Sequence, residues 1–281
     1  MYNKKYKLIF FIIFLNLAIS FLEASEKNQR IALVMGNGAY QYIGTLDNPT
    51  NDANDVAIAL ESLGFNVIKS IDATKIEMDI KFDLYRQALN NADVGLFFYA
   101  GHGLQINNEN YLVPIDAKFN QEFNVSRQLV GISPLLTSKK RRSKVNLVFL
   151  DACRNNPLVD ILKKGLSSGR AVTLDGERKV GSIGKGLAIL RGDVINTLIA
   201  FATAPGSVAL DGKGKNSPFT IEFLKYIQEP GLEVRQFLTK VRLGVLNKTH
   251  YRQVPWDNSS LTEDFYFKGA EKAWKIPLAP P

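Results

Sequence analysis

The sequence predicts a single α/β domain with a mostly parallel central sheet that is covered by helices on both faces. Its strand candidates are continuous apolar runs rather than alternating ones, which is typical of strands buried on both faces. Segments with helical spacing of apolar residues separate these runs, as in α/β proteins. A chain of 281 residues with 46% hydrophobic and 22% charged residues is ordinary for one globular core.

The first half of the chain alternates strand and helix signals. RIALVMGN, residues 30–37, predicts a strand that ends in a glycine-containing loop. Pro49 opens a helix that ends near Gly64, and FNVIKSI follows as the second strand. A second helix is predicted over residues 73–92. The apolar residues that we expect on its buried face are Ile76, Ile80, Leu84 and Leu89.

The second half contains further strands, a long loop and two helices. The predicted strands are DVGLFFYA from Asp93, the short YLVPID from Tyr111, VNLVFLDA from Val145, and INTLIAFATA from Ile195. Residues 157–193 are rich in glycine, serine and basic residues, which predicts a long basic loop. SPFTIEFLKYI and LEVRQFLTKVRLGVLNKT are predicted helices.

Residues 1–25 have the pattern of a secretory signal peptide. A basic start, MYNKKYK, precedes an apolar stretch over residues 8–22, and small residues follow at Ala24 and Ser25. We therefore expect an exported protein, periplasmic or secreted, with a domain over residues 26–268 and a tail over 269–281. The alternative is an uncleaved segment that anchors the chain in the inner membrane, which is the one case in which we expect membrane contact.

Charge and metal-ligand content narrow the function classes. The net charge is +8, which suits an acidic partner surface, but no nucleic-acid-binding motif accompanies it, so we expect no nucleic acid partner. The chain has one cysteine, Cys153, and two histidines, His102 and His250. One cysteine and a second histidine, His250, in an unrelated context do not form a metal-ligand set, so we expect no metal and no organic cofactor.

The sole cysteine and one of the two histidines each follow a predicted core strand. Ligands of α/β sheets bind beyond the carboxyl ends of parallel strands, so His102 and Cys153 are expected at one edge of the sheet. A histidine beside a cysteine makes the nucleophilic thiolate accessible near neutral pH. The backbone N–H groups of Gly103 and Cys153 are candidates for an oxyanion hole. Taken singly, such a cysteine is usually a small core residue and such a histidine is structural; their conjunction favours catalysis.

Several motifs resemble those of one enzyme family. Caspases carry Gln-Ala-Cys-Arg-Gly with a histidine about 50 residues upstream, and here DACRN follows YAGHG. Further similar motifs are NPTNDA, NYLVPID, FATAPGSVALDG, NSPFT and RQVPWDNSSLTEDFYF, and the resemblance runs from about Arg30 to Phe267. The chain resembles the caspase-like cysteine peptidases, most closely the bacterial orthocaspases and other metacaspase-like proteins. This resemblance implies a caspase-like (caspase-hemoglobinase) fold and a His102–Cys153 dyad.

The resemblance also implies a specificity. Animal caspases carry glutamine at the position of Asp151, whereas metacaspases carry aspartate there and cleave after Arg or Lys. In that branch the pocket for the basic residue is lined by aspartates that match Asp52 and Asp151. Asp211, in the region of a substrate-groove loop, is a further candidate, and a plain turn aspartate is its alternative. The alternative for Asp52 is a carboxylate favoured by the helix dipole.

The sequence therefore predicts a cysteine endopeptidase that hydrolyses peptide bonds after Arg or Lys in protein or peptide substrates. The resemblance to metacaspases favours a monomer; some metacaspases depend on calcium, but no calcium-loop spacing is visible. We also expect self-processing in the 157–193 loop, whose basic residues are Lys163, Lys164, Arg170, Arg178, Lys179, Lys185 and Arg191. The alternatives are a catalytically silent caspase-like module that binds peptides or partners, and a membrane-tethered signalling protein.

Overall fold

The computed structural model describes residues 29–107, 109–119, 122–136, 145–153, 171–174, 177–178, 183–184, 195–204 and 209–269. The signal segment over residues 1–25 and the tail residues 270–281 lie outside the described residues, so the predictions made for them are neither supported nor contradicted. Within the described ranges, no helix is both long and apolar enough to cross a membrane.

The described chain forms twelve strands and six helices. The strands are β1 (Arg30–Gly36), β2 (Phe65–Ile71), β3 (Val94–Ile106), β4 (Glu109–Leu112), β5 (Glu122–Asn124), β6 (Val130–Gly131), β7 (Val145–Cys153), β8 (Ala171–Leu174), β9 (Glu177–Arg178), β10 (Ile183–Gly184), β11 (Thr197–Phe201) and β12 (Trp256–Ser259). The helices are α1 (Pro49–Ser62), α2 (Lys75–Leu89), α3 (Val125–Gln128), α4 (Ser133–Leu136), α5 (Pro218–Tyr226) and α6 (Val234–Lys248).

The main sheet has the strand order β12-β11-β7-β3-β1-β2. The ladders from β11 to β2 are parallel, and β12 alone joins this path antiparallel, at one edge. The predicted mostly parallel α/β fold is therefore confirmed. The sequence analysis did not predict β12, because the strand WDNS is short and polar.

Helices cover both faces of this sheet, and the continuous apolar runs of the strands serve both. Along β3, Leu96 and Phe98 face a core shared with α1, α5 and α6, whereas Phe97 and Tyr99 face a second core against α2. Because successive side chains of a strand point to opposite faces, both sets must be apolar when both faces are covered. This double burial fixes the register of the central strands.

The buried face of α2 is not the predicted one. Ile76, Ile80 and Leu84 are 71%, 53% and 46% exposed. Of the predicted face, Leu89 is buried, and the helix buries it together with a second apolar stripe of Met78, Phe82 and Tyr85. Phe82 packs on Phe97 of β3 with ring centroids 5.4 Å apart. The helix begins at Lys75, two residues later than predicted, because Thr74 and Glu77 form a reciprocal capping box there.

Strand β3 is longer than predicted, and this changes the setting of the Gly-His-Gly motif. The strand continues to Ile106 instead of stopping at Ala100, so His102 lies within it. Beyond Ala100 the strand remains paired with β7 and acquires β4 and β10 as antiparallel partners. These long-range partners satisfy the backbone of a glycine-rich segment that the sequence alone marks as a loop.

The predicted loop over residues 157–193 contains short strands in its described part. β8 pairs with β5 and β9, and β10 pairs with β3, so the segment is tied to the body of the domain at two places. Strands of two to four residues carry no periodic signal, and only their distant partners make them strands. The remaining residues of this stretch lie outside the described ranges.

Candidate active site

The parallel register of β3 and β7 brings the two predicted catalytic residues together. His102 pairs with Cys153, Gly101 with Ala152, and Ala100 with Asp151. Neighbouring strands lie about 4.8 Å apart, so the backbones of two paired residues are as close as those of any two residues on adjacent strands. The backbones of His102 and Cys153 are thus side by side, with Cys153 at the carboxyl end of β7 and His102 within β3.

The imidazole of His102 is buried and its tautomer follows from one contact. Nε2 lies 3.1 Å from the carbonyl oxygen of Gly44. Because a carbonyl oxygen only accepts, Nε2 carries the proton and Nδ1 has the free electron pair. Nδ1 is buried and has no hydrogen-bond partner among the described residues. Burial lowers the pKa of His102 below its usual value, while the bond to Gly44 raises it. The ring is therefore a neutral base near pH 7, with Nδ1 as the accepting atom.

A small acidic pocket lies next to this pair. It is a narrow, partly open cleft, with about 210 Å³ of space that includes open solvent at its mouth, and Asp52, Asp151 and Asp211 all line it. Gly101 and Ser217 complete its polar wall. The carboxylates come from three distant parts of the chain: the first turn of α1, the end of β7 and the loop before α5. The structure thus brings together all three aspartates that the sequence analysis selected.

Ser217 connects the two most buried carboxyl groups. Its N–H donates to Asp52 at 3.1 Å, and its hydroxyl donates to Asp151. The Thr220 hydroxyl donates to the same oxygen of Asp151 at 3.1 Å. The Ser217 oxygen also accepts from the N–H of Thr220 at 3.0 Å, which caps α5. The start of α5 therefore holds both carboxyl groups in place.

Burial dominates the proton affinity of this pair. It raises the pKa of Asp52 to about 8, with a second contribution from the charge of Asp151; bonds from Ser217 and Asn216 oppose the rise. Burial raises the pKa of Asp151 to about 6, against the bonds from the Ser217 and Thr220 hydroxyls. The pKa of Asp151 is the lower of the two, so Asp151 is the member that ionises first, and its charge then further raises the pKa of Asp52.

Asp211 is fixed by a different segment, the residues that precede α1. Its carboxylate accepts the N–H of Asp47 at 3.0 Å, and the side-chain amide of Asn48 donates to its carbonyl. Burial raises the pKa of Asp211 above its usual value. Asp211 is therefore anchored to the loop that precedes α1, and its role in the pocket stays a prediction.

The proposed oxyanion donors and several unpredicted residues also belong to this region. Gly103 lies next to His102 in β3 and pairs with Leu112 of β4, while Cys153 is the last residue of β7. Sequence reasoning missed Gly44, because any residue supplies a carbonyl. It also did not select Ser217, although this residue stands in the motif NSPFT, or Tyr40, which follows the first predicted strand.

Within the described ranges, no three histidine, cysteine, aspartate or glutamate side chains are grouped so as to hold a metal ion. The predicted absence of a cofactor stays a prediction.

Comparison with known proteins identifies the family. A profile described as a caspase domain matches residues 29–266. Because this match covers most of the chain, the chain belongs to the caspase-domain family. Its assignment to the bacterial orthocaspase branch stays a prediction.

Two curated relatives and one solved structure are similar to the chain. It is 28% identical over 141 residues to the mucosa-associated lymphoid tissue lymphoma translocation protein 1 of Homo sapiens and to its Mus musculus homologue. The match covers 48% of this chain but only 17% of each relative. The crystal structure of caspase-1 from Spodoptera frugiperda superposes with a TM-score of 0.58 at 17% identity, covering 87% of this chain and 92% of that one. This last similarity shows the caspase fold alone.

Proposed function

We propose that this chain is a cysteine endopeptidase that cleaves after Arg or Lys, with His102 as the base and Cys153 as the nucleophile. Membership of the caspase-domain family supports a cysteine-peptidase type in general. The observation that carries the finer proposal is the acidic pocket beside the paired backbones of His102 and Cys153.

The proposed chemistry uses the free electron pair of the imidazole. Nδ1 of His102 takes the thiol proton of Cys153, and the thiolate attacks the scissile carbonyl carbon. The N–H groups of Gly103 and Cys153 stabilise the oxyanion. The imidazolium then gives its proton to the leaving amine, and water releases the acyl group by the same route in reverse. The bond from Nε2 to Gly44 keeps the ring in the tautomer that the first step needs.

Electrostatics support a basic residue before the cut. Two buried carboxyl groups share the pocket with a third, and without a cation this arrangement is costly in free energy. A guanidinium or ammonium group inserted between them would favour the ionised form of Asp52 and Asp151 and form charge-assisted hydrogen bonds. A substrate aspartate would add a fourth carboxyl group to the same small space.

A matched peptide panel tests this specificity. We expect the wild type to cleave amide substrates with Arg or Lys before the cut and to reject peptides that carry citrulline or Asp there, since citrulline keeps the shape of Arg but not the charge. Asp151→Asn should cost on the order of 2–5 kcal/mol for Arg peptides, equal to roughly 30-fold to several thousand-fold in kcat/KM. A wild type that prefers Asp, or that cleaves Arg and citrulline peptides equally, would overturn the assignment.

We also propose that the enzyme cleaves its own chain within residues 157–193. The alternative is a basic loop that is not cleaved. Connections longer than about 15 residues without regular structure are usually functional or disordered, and in its described part this one contains only the short strands β8, β9 and β10. Of the candidate sites, Arg178 ends β9 and is paired there, whereas the others lie outside the described residues. We likewise propose export through the N-terminal segment and a monomeric state, both of which stay predictions from the sequence.

A further inference from the structure

Tyr40 makes two kinds of contact with His102. Its hydroxyl oxygen accepts the backbone N–H of His102 at 2.7 Å. Its ring packs on the imidazole, with ring centroids 4.6 Å apart and planes inclined by 44°. The tyrosine is itself buried, so both contacts are shielded from water. Tyr40 thus touches the backbone and the side chain of the proposed base at the same time.

A second tyrosine holds the other end of the same residue. The hydroxyl of Tyr99 donates to the carbonyl oxygen of His102 at 2.8 Å, and the two tyrosine hydroxyls lie 3.4 Å apart. The N–H of Val113 donates to the same carbonyl at 3.0 Å. The His102 carbonyl therefore keeps a partner without Tyr99, whereas the contact from Tyr40 combines the N–H and the imidazole ring.

The backbone conformation and the space at position 101 explain why the residue before His102 is a glycine. Its φ of 147° is a conformation that other residues rarely adopt. A Cβ atom at this position would lie 2.7 Å from the hydroxyl oxygens of both Tyr40 and Tyr99. The space that a side chain would need is thus occupied by the two hydroxyls that hold His102. The glycine and the tyrosines form one arrangement.

The loop that carries Tyr40 is well anchored and also supplies the Nε2 contact. Gly38 and Ala39 donate their N–H groups to the carboxylate of Asp72, at 2.8 and 2.9 Å. Gln41 donates its N–H to the carbonyl of Ile115 at 2.9 Å. Gly44, four residues after Tyr40, accepts from the imidazole. One segment, residues 38–44, therefore contacts the N–H, the ring face and the Nε2 atom of His102.

We propose that Tyr40 is the positioning residue of the His102 base, fixing the direction of Nδ1 through its hydroxyl and its ring. This inference rests on the proposed function, because it assumes that His102 is the base. Positioning acts on the chemical step: a misplacement of about 1 Å can cost roughly 100-fold in rate. It does not act on the acidic pocket, so substrate binding should be little affected.

The test compares Tyr40→Phe with Tyr99→Phe and with Tyr42→Phe, an exposed tyrosine on the same loop, using an Arg amide substrate. We expect Tyr40→Phe to lower kcat by about 10-fold or more with KM within about twofold of the wild-type value. Tyr99→Phe should lose less kcat, since Val113 still bonds the His102 carbonyl. Tyr42→Phe should behave as the wild type.

Melting temperatures of the three variants separate positioning from stability. An unchanged kcat in Tyr40→Phe would overturn the inference while leaving the peptidase proposal intact. Losses of kcat in Tyr40→Phe and Tyr99→Phe that simply follow their losses of melting temperature would also overturn it, since they would reduce Tyr40 to a packing role. A wild type without activity on any peptide of the panel would instead overturn the proposed function, and the inference with it.

Discussion

The residues Asp52 and Asp151 are only 1% and 7% exposed, and their carboxyl groups line one small pocket. Folding therefore places two acids where only one is easily ionised. Each accepts hydrogen bonds from the start of α5, but neither has a cationic partner among the hydrogen bonds and ion pairs found in the described residues. Such an arrangement is unfavourable for stability and favourable for binding a cation, which is the usual sign of a functional site.

This pair makes stability depend on pH. The folded state raises the pKa of Asp52 to about 8, above the value near 3.9 that is typical of an unfolded chain. The stabilisation from the bound proton is present below about pH 4 and is lost as the pH rises towards 8. The amide of Asp52→Asn does not titrate, so this variant does not lose stability over the same pH range. Its melting temperature should exceed that of the wild type by several degrees at pH 8 and by little at pH 4. For a domain of this size, 1 kcal/mol corresponds to about 2–4 °C.

Thermal unfolding of the peptide-free protein between pH 4 and pH 9 is the measurement. Asp55→Asn is a suitable control, because Asp55 lies on the same helix and is paired with Lys215 at 2.8 Å. Melting curves of wild type and Asp52→Asn that differ by a constant amount at every pH would contradict the assignment of the proton to Asp52.

Sequence reasoning reached the site residues unequally. His102 and Cys153 were selected because both follow core strands, and the β3–β7 register places them opposite each other. Asp52 and Asp151 were selected through the resemblance to a family. Ser217 and Gly44 act through a cap and a backbone carbonyl, and their partners are brought to them only by the fold. Such contacts leave no periodic or compositional signal.

At the scale of elements, the continuous apolar strands were predictable and the face of α2 was not. The helix carries two apolar stripes, and helical spacing alone does not rank them. The buried stripe contains Phe82 and Tyr85, which offer more apolar area than the branched residues of the exposed stripe. The choice was made by the complementary surface of β3, which includes Phe97.

Ser217, at the start of helix α5, both caps this helix and bonds Asp151 in the acidic pocket. Ser217→Ala removes the cap on Thr220 and the hydroxyl on Asp151 but keeps the N–H that binds Asp52. Loss of the cap should cost about 1 kcal/mol of stability. Loss of the hydroxyl should raise the pKa of Asp151 further and so weaken its charge near neutral pH.

We therefore expect Ser217→Ala to lower kcat/KM for Arg peptides more than for citrulline peptides, and Ser217→Thr, which keeps a hydroxyl, to recover most of the loss. Steady-state kinetics at pH 7 measure both ratios. If the ratio of Arg to citrulline cleavage were the same in Ser217→Ala and the wild type, the role of the hydroxyl would be structural only.

At the scale of the whole molecule, the 157–193 stretch connects two strands that are direct neighbours. β7 and β11 pair over five residues, and Phe149 of β7 packs on Phe223 of α5 with centroids 5.0 Å apart. A cut in this connection would therefore leave both halves in one sheet and one core. The strands β8 and β10 would remain paired with β5 and β3.

Accordingly, self-processed wild type should elute in size-exclusion chromatography at the mass of the whole domain and separate into two fragments only under denaturing conditions, while Cys153→Ala stays intact. Fragments that separate without denaturant would contradict the shared core. Equal cutting of Cys153→Ala would indicate a foreign protease acting on an exposed segment.

A double-mutant comparison of kcat/KM is the most direct test of the proposed His102–Cys153 dyad. The wild type, Cys153→Ala, His102→Ala and the double variant are compared on one Arg amide substrate, with melting temperatures as the control for folding. If the two residues act as a unit, each single variant loses nearly all activity and the double variant loses little more. Substantial turnover by folded Cys153→Ala, or additive losses in the double variant, would contradict the account.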